Sequence, residues 1–422
     1  MGAGSNIKRY VEAIGRKARA AAAVLAAISA EAKRNALIEM AGSIEKGVRP
    51  LLDANRRDLQ AAAERGISAA VRQRLALTEK TIAEMCGGLR QVASLPDPVG
   101  EILSTWERPN GLTIQKVRVP IGVIAMIYEA RPTVTADAAA LCIKAGNAVI
   151  LRGGREALHS NVALARILRD AAAREGLPKD SLQLIERPEH EVVNELLKLN
   201  AYIDLVIPRG GEALIRTVTK RSTIPVIKHY KGVCHVYVDR RADGDMAEKI
   251  ILNAKVQKPA VCNAAETLLV HADIARSFLP RVAAALRARG VELRGDPAAR
   301  KIVPDMKAAR ASDWGFEYLD LILAVKVVHD LDEAVEHIAR YGSQHSDAIV
   351  TSDREAAERF LREVDSSAVF WNASTRFNDG GQFGMGAEIG ISTDRIHARG
   401  PMALPELTIY KYVVRGSGQV RE

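Results

Sequence analysis

From Pro120 onward short apolar runs alternate with helical stretches, and this alternation limits the possible folds more than any other feature of the chain. Runs at 121–128, 148–151, 182–185 and 203–207 have strand length and are rich in Val, Ile and Leu. Between them, residues 134–145, 160–175, 190–199 and 211–220 repeat apolar positions at the three- and four-residue spacing of helices. Strand and helix in strict alternation predict a parallel, doubly wound α/β sheet. A second series, at 234–238, 267–270, 321–328, 348–350 and 368–371, predicts a second α/β domain that the Gly-rich stretch 379–390 closes. Residues 6–90 read as helices and end at Leu95-Pro96-Asp97-Pro98-Val99-Gly100. Strands at 112–119 and 407–414 are expected to be exposed and to pair with another subunit.

A chain of 422 residues, 48% hydrophobic and 26% charged, is long enough for two domains and too well mixed for disorder. Its formal charge of +9 fits an anionic ligand or nucleic acid, but aromatic residues are 4% and no basic run is interleaved with them as a stacking surface requires. The expectation is no nucleic acid. Cys86, Cys142, Cys234 and Cys262 form no C-x-x-C pair, which points to a reducing, cytoplasmic setting. Arg16, Lys17 and Arg19 before the apolar run 20–30 resemble an export signal, yet the helical pattern continues past it through Glu31 to Ile44. One Ala-rich helix is therefore expected there. No run approaches the ~18 apolar residues of a membrane span, so no membrane is expected.

Arg-Gly-Gly occurs twice at the end of a predicted strand, at 152–154 and 209–211. Glycine lets a backbone approach a phosphate and arginine supplies charge, although each copy also fits an ordinary turn. No G-x-G-x-x-G is present, since Gly384-Met385-Gly386 is followed by Gly390 one residue too late. Cys262 stands in Gln257-Lys258-Pro259-Ala260-Val261-Cys262-Asn263, on a loop entering a strand. A cysteine so placed can present sulfur to a cleft, with Lys258 favouring the thiolate, or can be a small buried residue. His229 and His235 have no ligand partners at metal spacing, and no metal is assigned.

Several blocks extend the reading, among them Val119-Pro120-Ile121-Gly122-Val123-Ile124, Tyr128-Glu129-Ala130-Arg131-Pro132 and the run 141–154 ending in Arg152-Gly153-Gly154. Gly232-Val233-Cys234-His235, Asn253-Ala254-Lys255, Asn372-Ala373-Ser374-Thr375-Arg376-Phe377 and His397-Ala398-Arg399-Gly400-Pro401 follow in order. Together they resemble the aldehyde dehydrogenase superfamily, and most closely its glutamate-5-semialdehyde dehydrogenase branch. The resemblance implies an NADP-binding domain over 1–103 and 119–232, a catalytic domain over 233–400 and an oligomerisation arm of 104–118 and 401–422. It implies Cys262 as nucleophile in an NADPH-dependent reduction of γ-glutamyl phosphate to glutamate 5-semialdehyde, within proline synthesis. Arg152, Gly153 and Gly154 fall at the adenosine ribose, where an arginine suits the 2′-phosphate of NADP. Arg209, Gly210 and Gly211 fall beneath the pyrophosphate, and Asp320 at the nicotinamide ribose. Arg376, with Asn372 and Ser374, is the expected site for the substrate α-carboxylate. A glutamate 5-kinase is the implied partner, and a homo-oligomer the implied assembly.

The chain departs from the family at several places. Ala130 replaces the superfamily's oxyanion-hole Asn, and His229 stands at its general-base Glu. Thr133 and Lys258 replace the Asn and Arg usual in the branch. Two other readings compete: an aldehyde dehydrogenase that hydrolyses its thioester or passes it to CoA, and a basic scaffold with a dead dehydrogenase fold.

Overall fold

The structure is a computed structural model that describes residues 3–421. It contains two compact units. One takes in the chain up to Lys228, the segment Gly384–Gly390 and the chain from Met402 onward; the other holds His229–Phe383 and Ile391–Pro401.

The first unit begins with helices α1 (Ala3–Leu25), α2 (Ala30–Lys46), α3 (Val48–Glu64), α4 (Ala69–Leu75) and α5 (Glu79–Ser94). In α1 the positions Ile7, Val11, Ile14, Ala18 and Ala22 recur every three or four residues and are buried in one cluster with strand residues Val123, Ala125, Ile127 and Ile150. The expected single helix running on to residue 44 is in fact two. Its break comes after Leu25, and α2 starts where the Ser29 side chain accepts the Ala32 N–H, giving a free helix start a partner. Among the described residues no helix is long and apolar enough to cross a membrane.

Next come β1 (Ile102–Glu107), β2 (Thr113–Pro120), β3 (Val123–Tyr128), α6 (Thr133–Lys144), β4 (Ala148–Arg152), α7 (Leu158–Arg174), β5 (Leu182–Leu184), α8 (His190–Leu196), β6 (Leu205–Arg209) and α9 (Glu212–Arg221). Strands β5, β4, β3 and β6 lie in that order, all parallel, as the alternation predicts. β3 begins two residues later than its apolar run because Gly122 has φ +131, and a Cβ there would collide with the Asp204 carboxylate. That carboxylate accepts the Val123 N–H at 2.8 Å and pairs with Arg19 at 2.8 Å.

In the second unit stand β7 (Cys234–Val238), α10 (Gly244–Val256), β8 (Ala265–His271), α11 (Ala272–Arg287), β9 (Glu292–Gly295), α12 (Pro297–Ile302), β10 (Lys307–Ala308), β11 (Ile322–Val328), α13 (Leu331–Tyr341), β12 (Ser346–Val350), α14 (Arg354–Glu363) and β13 (Ala368–Trp371). Among the described residues they form a seven-stranded parallel sheet in the order β10-β9-β11-β8-β7-β12-β13. β9 and β10 escape a periodicity reading, since β9 alternates over four residues and β10 is an exposed two-residue edge. Lys255 and Glu266 form a fully buried ion pair at 2.7 Å; burial pushes the Glu266 carboxyl up to about 7 and the Lys255 amine down.

Two short strands, β14 (Ile391–Ser392) and β15 (Gly400–Pro401), pair with each other before β16 (Thr408–Arg415). The strands expected to seek another subunit find each other first: β16 pairs along all of β2, giving the sheet β1-β2-β16. The outer faces of β1 and β16 still expose Ile102, Trp106, Ile409 and Tyr412. Residues 384–390, expected in the second domain, pack with the first unit, where Gly386 leaves room only for Leu95 and Gly390 for the Arg209 guanidinium.

Candidate active site

At the carboxyl ends of the first unit's strands lies a cavity of about 660 Å³. Open α/β sheets bind ligands at this end, where loops diverge on either side of the switch in strand order. It is lined by Tyr128 and Glu129 at the end of β3, by Arg152, Gly154, Arg155 and Glu156 at the end of β4, and by Pro188 and Glu189 after β5. Arg152 is only 8% exposed, and its guanidinium donates to the Gly153 and Pro188 carbonyls at 3.0 and 3.1 Å. It therefore shapes the loop as well as charging it. Gly153 has to be glycine, because a Cβ would strike the buried Asn161 amide. Arg155, which the sequence reading did not single out, is exposed and also borders a second cavity of about 230 Å³. Its signal was present in the same Arg-Gly-Gly-Arg run.

The second Arg-Gly-Gly turn differs from expectation in one respect. Its Gly211 N–H, at the start of α9, already donates to the Glu129 carboxylate at 2.9 Å. A pyrophosphate at this turn has to displace that carboxylate, since two anions cannot share one helix start. Gly210 lies under the same Glu129 side chain and against Leu214.

In the second unit, β8, β7 and β12 are neighbours and run parallel, so the residues just before them meet at one sheet edge. Those residues are Cys262, the stretch Gly232-Val233 and His345. Cys262 sits in the turn between α10 and β8, and is half-buried, whereas Cys86, Cys142 and Cys234 are buried. The turn is held from several sides. The Cys234 thiol, which burial keeps protonated by pushing its pKa well up, donates to the Cys262 carbonyl at 3.2 Å. Asn263 donates to the Asn378 carbonyl at 3.0 Å, and its own carbonyl accepts the Thr375 hydroxyl at 2.8 Å. Gly232 packs so tightly that a Cβ would overlap the Cys262 carbonyl oxygen and lie 2.5 Å from its Cα. Its N–H donates to Glu317 at 2.8 Å.

Around this turn, one donor atom each of His229, Cys262 and His345 lie within 4.8 Å of one another. The His229 ring stands edge-on to that of His345, with centroids 5.4 Å apart. His229 Nδ1 lies 2.8 Å from the Ile391 carbonyl. A carbonyl can only accept, so Nδ1 carries a proton, and in the neutral ring Nε2 holds the lone pair. His345 was missed by the sequence reading, because nothing local to it signals proximity to residue 262.

The other expected residues are placed as follows. Arg376 is half-buried; its Nε donates to Gln257 at 2.8 Å, and it also bonds the Asn263 side chain beside Cys262. Asn372 and Ser374, expected as fellow ligands, have their polar atoms engaged by the chain itself. The Asn372 amide pairs with both the N–H and the carbonyl of Thr351 at 2.9 Å, and Ser374 Oγ accepts the Arg376 N–H at 3.3 Å. Ser374 thereby holds the Arg376 backbone, while Asn372 is tied to Thr351. Asp320 is exposed and accepts the adjacent Leu321 N–H at 2.7 Å. Lys258 is exposed, and Ala130 has φ 37 with its N–H on Glu156 at 2.6 Å.

The pattern of the aldehyde dehydrogenase family matches residues 5–310. The γ-glutamyl phosphate reductase of Geobacter metallireducens is 56% identical over 99% of this chain and 100% of its own. That of Moorella thermoacetica is 55% identical over 99% and 100%. A crystal structure of γ-glutamyl phosphate reductase from Thermotoga maritima superposes with a TM-score of 0.96 at 47% identity, covering 98% of this chain and 100% of that one.

Proposed function

Since the chain belongs to the aldehyde dehydrogenase family, within its γ-glutamyl phosphate reductase branch, we propose that it reduces γ-glutamyl phosphate to glutamate 5-semialdehyde and phosphate, with Cys262 as nucleophile, in proline synthesis. The observation that carries the mechanism is the half-buried Cys262 turn, held rigid beside His229 and Arg376. His229 Nε2 accepts the Cys262 proton. The sulfur attacks the acyl carbon, the C–S bond forms, and the C–O bond to phosphate breaks with its electron pair leaving on phosphate. Arg376 holds the substrate α-carboxylate by charge-assisted bonds, while backbone amides of the turn donate to the acyl oxygen. A nicotinamide dinucleotide, when bound, supplies the hydride that takes the thioester to the thiohemiacetal level. Collapse then breaks the C–S bond, frees the aldehyde and returns the Cys262 thiolate, which His229 reprotonates.

The family uses NAD or NADP. NADPH is the form we assign, with Arg152–Gly154 at the adenosine ribose, Arg209–Gly211 at the pyrophosphate once Glu129 swings aside, and Asp320 at the nicotinamide ribose. The 660 Å³ cavity has the size of a nucleotide site, and Arg152 and Arg155 are the cations we assign to a 2′-phosphate among a lining that also holds Glu129, Glu156, Glu189 and Glu191. Arg155→Ala is expected to weaken NADPH binding about tenfold and leave NADH nearly unchanged, with Arg152→Ala showing the same bias plus a loss for both from its loop contacts. Fluorescence titration of the two nucleotides checks this. Equal losses in both variants remove the 2′-phosphate from this cavity.

A labile acyl phosphate makes a glutamate 5-kinase the proposed partner. The exposed apolar strands β1 and β16 are the proposed homo-oligomer surface. The four free cysteines suit a reducing cytoplasm.

An imidazole at the base position raises the alternative of thioester hydrolysis. The two separate when the reaction is run backwards from glutamate semialdehyde and NADP⁺. Sustained NADPH formation is expected only with added inorganic phosphate. Sustained turnover in phosphate-free buffer, with glutamate as product, replaces the reductase reading with a hydrolytic one.

A further inference from the structure

The geometry points to a second use of the Cys262 site: a reversible zinc site with three protein ligands, Cys262 Sγ and one ring nitrogen each of His229 and His345, that caps the nucleophile. Their donor atoms lie within 4.8 Å of one another. Around a tetrahedral zinc, such atoms stand about 3.3–3.6 Å apart, given typical Zn–N and Zn–S bond lengths. Small rotations of three side chains close the difference. The donor set is the one zinc favours, two imidazoles and a thiolate, and water completes the fourth position.

The surroundings favour metal binding in two further ways. His229 Nδ1–H is anchored on the Ile391 carbonyl at 2.8 Å, which orients the ring and leaves Nε2 as a basic donor. Outer contacts of this kind fix tautomer and direction in zinc sites. His345 Nδ1 faces the Ser346 hydroxyl at 2.9 Å and the Cys234 sulfur at 3.8 Å, so this ring too is oriented by its neighbours. The Arg376 guanidinium beside the turn is engaged by Gln257 and the Asn263 side chain. Binding exchanges the Cys262 S–H bond for S–Zn and passes the proton to solvent.

The experiment is calorimetric titration of the full chain with Zn²⁺, and optical titration with Co²⁺, in thiol-free and phosphate-free buffer. One ion per chain is expected, with release of about one proton measured across buffers of different ionisation enthalpy. Cobalt should show a near-ultraviolet sulfur-to-metal charge-transfer band. Cys262→Ser should abolish the band, and His229→Gln and His345→Gln should each weaken zinc about 100-fold. Circular dichroism identifies any variant that fails to fold, and the other His variant then carries the test. Binding unchanged in Cys262→Ser, or in both folded His variants, overturns the site. The readout uses no substrate, so its failure leaves the reductase reading untouched, and failure of the phosphate test leaves this site untouched.

Discussion

Replacing Cys262 with Ala is expected to lower kcat for acyl-phosphate reduction by at least about a thousandfold while leaving NADPH affinity and thermal stability close to those of the parent chain. The sulfur is the only group the reaction scheme joins covalently to substrate, and no neighbouring hydroxyl in the turn can take its place. The side chain is half-buried and small, so its loss opens no large cavity. Cys86→Ala and Cys142→Ala should keep near-parental turnover, because both thiols are buried in helices of the first unit. Burial pushes their pKa up, leaving little thiolate to react. Iodoacetamide labelling mapped by mass spectrometry gives an independent reading, with alkylation expected first at Cys262. More than a trace of activity in Cys262→Ala, prepared free of parental enzyme, removes the covalent mechanism.

The second large effect is expected from a residue without a side chain. In Gly232→Ala the new methyl group overlaps the Cys262 carbonyl oxygen and stands 2.5 Å from its Cα, and both are backbone atoms with no rotamer to turn away. Gly232 is not among the positive-φ residues, so alanine is not strained by its own backbone and the effect is steric. The Cys262 turn has to move by an ångström or so, which at a nucleophile costs on the order of a hundredfold in kcat. Gly87→Ala is the control. That glycine lies within α5 with open space around its Cα, where alanine is expected to stabilise by about 0.5–1 kcal/mol and leave activity alone. Steady-state kinetics with thermal denaturation separates the outcomes. A Gly232→Ala enzyme retaining half the parental kcat would show that the turn is soft rather than fixed.

Strands such as β3, β4, β6 and β7 were legible in the sequence because a strand buried on both faces must be an apolar run, and that property is local. The turn bearing Cys262 was legible for the same reason, lying between a helical pattern and such a run. Arg152 and Gly153 announced their loop, since close backbone approach demands glycine wherever it occurs. β9 and β10 were not legible, being only four and two residues long.

What only the tertiary structure decided was convergence. His345 comes to Cys262 because β12, β7 and β8 are neighbours in the sheet, and strand order depends on which faces pack together rather than on residues 340–350. The same holds for Glu129 on the Gly211 amide, for the Asn372 amide engaged by Thr351, and for residues 384–390 joining the first unit. Periodicity and turn chemistry act over a few residues and are written into the chain locally. Which side chains then share a few ångströms of space is set by long-range packing, and only the folded sheet holds that information.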